Sequence, residues 1–179
     1  VQRCGSVWTC PVCSAQISQG RRQELQQGME NFQNKDGMVY LLTLTNAHHV
    51  GDNLIQLLNG QKKALAYLWG DRKSKEMFNS LGQVGHITAT EVTHGSNGWH
   101  PHYHILLFFP TSIDVQTLRD FIAECWQNCC KKAGLKMPTL EHGCDLREGK
   151  YADKYVSKWG LADEVTKGHI KKGNANNAT

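Results

Sequence analysis

Apolar and polar positions change period along this chain, and the changes mark its elements. Between residues 14 and 34, Ile17, Leu25, Met29 and Phe32 recur at near-helical spacing among polar and basic neighbours, which predicts a helix. Gly37 interrupts it. MVYLLTLT (38–45) is a mostly apolar run of β-formers, the pattern of a central, well-buried strand. From a cap at Asp52, helical periodicity runs to about Asn79, with a kink expected at Gly60 or Gly70. HITATEVT (86–93) alternates, GSNG (95–98) signals a turn, and HYHILLFF (102–109) reads as the partner strand of a hairpin. Ser112 or Asp114 caps a helix over 113–133 whose inward positions include Leu118, Phe121, Ile122, Cys125, Trp126 and Cys129, and Gly134 ends it. A short strand is expected around Leu140 to Leu146, then a helix over 148–159 that stops at Gly160. The order strand, helix, paired strands, helix, strand, helix fits an α+β layer, a mainly antiparallel sheet with helices packed on it.

Length and composition add bounds. With 179 residues and a 40% hydrophobic fraction, the chain suits one domain with its own core. No apolar run approaches the ~20 residues needed to cross a bilayer, so no membrane role is expected. No export signal is visible, and the chain opens abruptly enough to be a fragment of something longer. Seven cysteines in such a chain suggest a reducing cytoplasm and metal ligation over disulfides. The net charge of +4 hints only weakly at a polyanionic partner. Its distribution says more: Lys150, Lys154 and Lys158 surround two tyrosines, and Lys167, Lys171 and Lys172 make a basic tail over 161–179 that ends in the disorder-prone GNANNAT. A plain solvated helix face explains such a cluster equally well.

WHPHYHILLFF (99–109) carries the strongest chemical signal. Side chains alternate across a strand, so His102 and His104 point to one face and can grip one divalent ion. Pairing across the GSNG turn brings Glu91 beside them. Two imidazoles and a carboxylate make Mn2+ or Mg2+ workable and leave positions open for a phosphate oxygen. His94 and His100 compete for the third place; Pro101 puts His100 at the start of the strand and ranks it below Glu91. The competing explanation, half-buried sheet histidines without metal, is weakened by three histidines at alternate positions.

Farther on, Tyr151, Lys154, Tyr155 and Lys158 follow i, i+3, i+4, i+7 spacing and share one helix face. A phenol titrates near ~10, so a neighbouring cation or a metal on the substrate must help it attack. Packing on an amphipathic helix is the alternative for either tyrosine. Together, metal-binding histidines and tyrosines point to attack of a tyrosine oxygen on a polarised phosphodiester. At the N-terminus Cys10 and Cys13 bracket Pro11-Val12 in the tight turn of a tetrahedral zinc site, with Cys4 as third ligand and Cys144, or a residue upstream of Val1, as fourth. Free buried thiols or an unusual disulfide are the alternatives there. Cys125, Cys129 and Cys130 belong by default to the core.

These residues resemble a known family. LLTLTNAHH (41–49), EVTHGSNGWHPHYHILLFF (91–109) and YADKYVSKWG (151–160) look like the three ordered motifs of HUH endonucleases, above all the rolling-circle replication initiators of small plasmids. CGSVWTCPVCSAQI (4–17) is similar to the cysteine-rich start of the same initiators. The resemblance implies a five-stranded antiparallel sheet with helices, a single nuclease domain over 1–160 with a knuckle at 1–13, and site-specific nicking of single-stranded origin DNA. It makes His102, His104 and Glu91 the metal ligands and Tyr155 the nucleophile, with Thr43 and Thr45 helping to place DNA. Tyr151 departs from plasmid initiators that carry a glutamate there, and the tyrosine pair looks like that of phage gene A type initiators. Termination then proceeds through Tyr151, or through water with Glu148 as base.

The expected activity is therefore nicking and rejoining of single-stranded or hairpin origin DNA through a 5′-phosphotyrosine. Lys154 and Lys158 support the charged transition state. Lys150 lies along the DNA path, and bases stack on Trp99, Tyr103 or Trp159. Host helicase and polymerase are the expected protein partners. A two-tyrosine rolling-circle transposase, a non-enzymatic zinc-stabilised DNA-binding module and, last, a metallohydrolase of small substrates are the rivals.

Overall fold

The computed structural model describes residues 4–6 and 9–148. Four strands and four helices follow one another in these residues: α1 (Pro11–Gln33), β1 (Met38–Thr45), α2 (Leu54–Gly70), α3 (Arg72–Ser80), β2 (Gly85–Gly95), β3 (Gly98–Phe109), α4 (Val115–Lys132) and β4 (Cys144–Glu148). The strands form one antiparallel sheet in the order β2-β3-β1-β4. Among the described residues the sheet thus has four strands, the number the hydrophobic pattern predicts, and not the five that the resemblance implies.

Alternation along β1 and β3 divides the sheet into two faces. Tyr40, Leu42 and Leu44 pair with Leu107, Ile105 and Tyr103 on one face. There they join Ala64, Leu68, Phe78, Leu118, Ile122 and Trp126 from α2, α3 and α4 in the main core. Burial of this set supplies the dominant stabilisation of the fold. The Trp126 indole N–H is satisfied there by the Thr45 carbonyl at 2.6 Å. Tyr103 is buried in this core, so its ring is not a surface on which bases stack. Val39 and Leu106 face the other way, and Leu25, Met29 and Phe32 of α1 cover them. That second face is apolar toward Val39 and polar toward Thr43, Thr45, His102 and His104.

Several boundaries differ from the sequence expectation for local reasons. Pro11 occupies the first turn of α1, where its missing N–H is harmless, so the helix starts three residues early and takes in Cys13. Asn53, not Asp52, caps α2 by accepting from the Ile55 and Gln56 N–H groups, while Asp52 accepts from His49 N. The expected long helix breaks after Gly70, where Asp71 closes α2 and caps α3 through Ser74 N. Asp114 is the cap of α4, and Gly134 follows it at φ +80°. The last strand starts four residues later than expected and ends two later, and Leu140 is exposed. Glu148 ends β4 instead of opening a helix. It pairs with Tyr40, which puts it on the face opposite Thr43 and removes its fit as a base beside the histidines.

Candidate metal centre

Hairpin pairing builds the centre. β2 and β3 join through Ser96 and Asn97, and the register sets Glu91 opposite His102 and Ala89 opposite His104. Glu91 therefore stands beside one histidine and diagonal to the other on a single face. Its Oε2 lies 2.6 Å from His102 Nε2 and 2.9 Å from His104 Nε2. The three donor groups fall within 4.8 Å of one another. Glu91 is only 3% exposed, and a carboxylate so buried requires a charged or hydrogen-bonding partner.

Outer contacts orient both rings. The Thr43 hydroxyl is 3.2 Å from His104 Nδ1, across the β1–β3 pair. His102 Nδ1 lies 3.4 Å from the His100 carbonyl, an acceptor; the tautomer that donates there turns the Nε2 lone pair toward Glu91. Two ring nitrogens and a carboxylate oxygen meet there with a proton or a cation between them. This convergence fits a divalent ion, and the N,N,O donor set suits Mn2+ or Mg2+.

The other histidines stand apart from this set. His94 pairs with Trp99 on the opposite face and meets its ring edge-on at 4.6 Å. His100 stacks on His48 with centroids 4.6 Å apart. Burial, then the nearby His48 and His102 rings, push its pKa down to about 4.

A second cluster lies at the start of α1. Cys4, Cys10 and Cys13 sulfurs are within 4.8 Å of one another, with Cys4 and Cys13 at 3.6 Å. Tetrahedral zinc with bonds of ~2.3 Å sets sulfurs about 3.8 Å apart, so the spacing suits that ion. The Cys13 backbone N–H, then the Cys4 and Cys13 thiols, lower the Cys10 pKa. Cys144 is not the fourth ligand: it is buried against α4, its thiol donates to the Arg119 carbonyl at 3.8 Å, and burial pushes its pKa up to about 12. Cys129 and Cys130 are core residues, as expected.

Thr45 bonds the His142 carbonyl at 2.9 Å, and Trp99 is half-exposed on the hairpin. Lys150, Tyr151, Lys154, Tyr155 and Lys158 lie outside the described residues. Sequence reasoning missed the support beneath the centre. Gln61 of α2 is fully buried and donates to Asn46 Oδ1 at 2.5 Å and to the Pro101 carbonyl at 2.7 Å, fixing the chain one residue before His102. A glutamine facing the core from an otherwise apolar helix stripe was the available signal. Asp145 and Arg147 were missed too: β4 pairing puts them on the same face as Thr43, where they form an ion pair at 2.6 Å.

A model of the replication protein family matches residues 2–177. The chain belongs to that family. Its relatives include a "Protein rep" of Streptomyces lividans, 31% identical over 60% of this chain and 29% of the relative. A "Neomycin resistance protein" of Streptomyces cyanogenus is 30% identical over 59% of this chain and 30% of its own. A "Protein rep" of Lentilactobacillus hilgardii is 32% identical over 55% and 31%. The chain thus spans about three tenths of the length of each of these relatives.

Proposed function

We propose that this protein initiates rolling-circle plasmid replication by nicking and rejoining single-stranded origin DNA at the Glu91–His102–His104 centre. The observation that carries the reading is the convergence of these three donors at 2.6 and 2.9 Å on the polar half of a sheet face. Family membership and the two relatives named "Protein rep" support replication over transposition. Glu91, His102 and His104 would hold a divalent ion, which would supply Lewis acidity to the scissile phosphate.

The chain's own residues do the rest. Thr43 and the His100 carbonyl hold both rings so that Nε2 faces the substrate side. Tyr155 gives up its phenolic proton and attacks phosphorus; the P–O3′ bond breaks, and the 3′-oxygen takes up a proton. The products are a free 3′-OH and a 5′-phosphotyrosyl ester. One phosphodiester is exchanged for another, so rejoining requires no nucleotide cofactor. Lys154 and Lys158 offset the charge on the transferring phosphoryl group. Tyr151 performs the second transfer at termination. Lys150, Thr45 and Trp99 contribute DNA contacts, and Cys4, Cys10 and Cys13 hold a structural Zn2+.

The test is covalent capture. Incubation with Mn2+ and an origin oligonucleotide yields an adduct that survives denaturing electrophoresis. Tyr155→Phe loses it while still binding DNA, and Tyr151→Phe keeps first-strand cleavage. Undiminished adduct in Tyr155→Phe transfers the nucleophile's role to Tyr151. DNA binding without any adduct in the unaltered protein favours the non-enzymatic module.

A further inference from the structure

The inward stripe of α1 changes character along its length. Phe32, Met29 and Leu25 pack on Val39, Leu41, Leu106 and Phe108. Toward the N-terminus the same stripe continues with Arg22 and Ser18, three and seven positions before Leu25. Ser18 is buried. Arg22 is half-buried between exposed Arg21 and Gln23, and its Nε atom is shielded from solvent. A guanidinium drawn inward from a solvated helix is costly unless an anion or a polar group meets it. We infer that Arg22 is a phosphate-binding residue of the Glu91–His102–His104 centre, its guanidinium gripping the non-bridging oxygens of the scissile phosphate. This deepens the nuclease reading and rests on it.

The corner between α1 and β1 fixes the level that Arg22 reaches. Residues 34–37 link the two elements, and Gly37 closes the link so tightly that an added Cβ would press on the Phe32 ring and carbonyl oxygen. The helix therefore folds back antiparallel along β1, with Leu25 still on the cluster that holds Leu41 and Leu106. Phe32 meets Phe108 edge-on at 5.4 Å, at the end of the sheet away from the donors. Arg22 lies ten positions before Phe32, about 15 Å along the helix. His104 lies four positions before Phe108, about 13 Å along β3. Arg22 thus stands at the level of His104 and Thr43, where the face turns from apolar to polar. Among the described elements α1 is the one packed on this face; α2, α3 and α4 cover the other. The remaining charged groups of the face are engaged with one another: Arg147 holds Asp145 at 2.6 Å, and Glu91 meets both imidazoles. Arginine suits the incoming group, because its rigid fork of donors matches two phosphate oxygens at once, whereas a lysine offers a point charge.

Single-turnover adduct formation with Mn2+ and a saturating single-stranded origin oligonucleotide reads the contact. Arg22→Met keeps the aliphatic stem and lowers the rate roughly 100-fold, while Arg22→Lys settles about tenfold below the unaltered protein. Mn2+ affinity by calorimetry and the melting temperature stay unchanged in both variants. The decisive substrate carries one methylphosphonate at the scissile position, where a methyl group replaces a non-bridging oxygen and removes the charge. On it, the unaltered protein and Arg22→Met react at equal rates. An unchanged rate for Arg22→Met on the ordinary oligonucleotide overturns the assignment. So does an equal loss on the methylphosphonate, or a fall in Mn2+ affinity of matching size, either of which makes Arg22 a structural support. A second arm requires no cleavage: in EDTA, a single methylphosphonate is moved along the oligonucleotide and binding is followed by anisotropy. At one position it weakens binding to the unaltered protein roughly tenfold and leaves binding to Arg22→Met unchanged. Equal penalties in the two proteins at every position also overturn the assignment. The two readings fail separately: an Arg22-dependent penalty without any adduct in Mn2+ sinks the nuclease and leaves a phosphate site, while adduct formed at full rate by Arg22→Met does the reverse.

Discussion

At the residue scale, Thr43 shows how little separates a structural side chain from a functional one. Its hydroxyl touches His104 Nδ1 and fixes the ring plane. Thr43→Val keeps the shape and removes that contact. Affinity for Mn2+, measured by titration calorimetry, then falls roughly tenfold, the usual cost of losing an outer-shell partner. Affinity unchanged by the substitution means that packing alone orients the ring. The cysteines divide in the same way. Burial pushes the Cys129 and Cys130 thiols up to about 11 and about 12, so they stay protonated and shielded at pH 8. Cys10, with its pKa lowered by the Cys13 amide, reacts first with N-ethylmaleimide. Added Zn2+ suppresses that labelling, as mass spectrometry of the alkylated peptide reads out; equal labelling with and without Zn2+ removes the ion from the knuckle.

Elements explain what the sequence could and could not disclose. A two-residue turn at Ser96-Asn97 fixes the hairpin, so counting outward from it already pairs Glu91 with His102. The α+β class and the buried character of β1 were equally legible, because period and length state them locally. The partnership of Thr43 with His104 was not. It depends on β1–β3 pairing between residues 61 apart, and no local pattern reports a register set at that distance. The break at Gly70-Asp71 was half-legible: the glycine marked a weak point, while the Asp71 cap that turns a kink into two helices depends on its side chain reaching Ser74 N. Gly98 is the element-scale test of the hairpin. Alanine there faces both a positive φ and the His49 carbonyl oxygen, so Gly98→Ala costs about 1–3 kcal/mol in urea denaturation. A cost within the noise of the measurement shows that the loop at 49–50 yields.

For the whole molecule, the two sheet faces divide the labour. One is sealed by α2, α3 and α4; the other is closed by α1 at one end and carries the donors at the other. Ligand linkage follows. Mn2+ at about 100 times its Kd stabilises the folded chain by about 2.7 kcal/mol. The melting temperature rises accordingly in the unaltered protein and not in a Glu91→Ala, His102→Ala, His104→Ala triple variant. Acid acts in the opposite direction through His86, stacked on Trp69 at 4.2 Å. The residue is exposed, and partial desolvation lowers its pKa below the usual 6.5, so the fold prefers the neutral ring. Its contribution is complete above that value and is lost as pH falls below it. His86→Phe retains the stack without the titration, and the slope of stability between pH 7 and pH 5 becomes shallower; an unaltered slope assigns the acid sensitivity to other groups.

The strand order has one more implication. Among the described residues β2 is an edge strand and β3 is flanked on both sides, so the carboxylate hangs on the margin of this sheet while the imidazoles are held in its middle. Edge fraying then detaches Glu91 without disturbing His102 or His104, a ready route for release of any ion held between them. Deuterium uptake by β2 amides that is faster than in β3, and that slows on adding Mn2+, is the signature of such a hinged ligand.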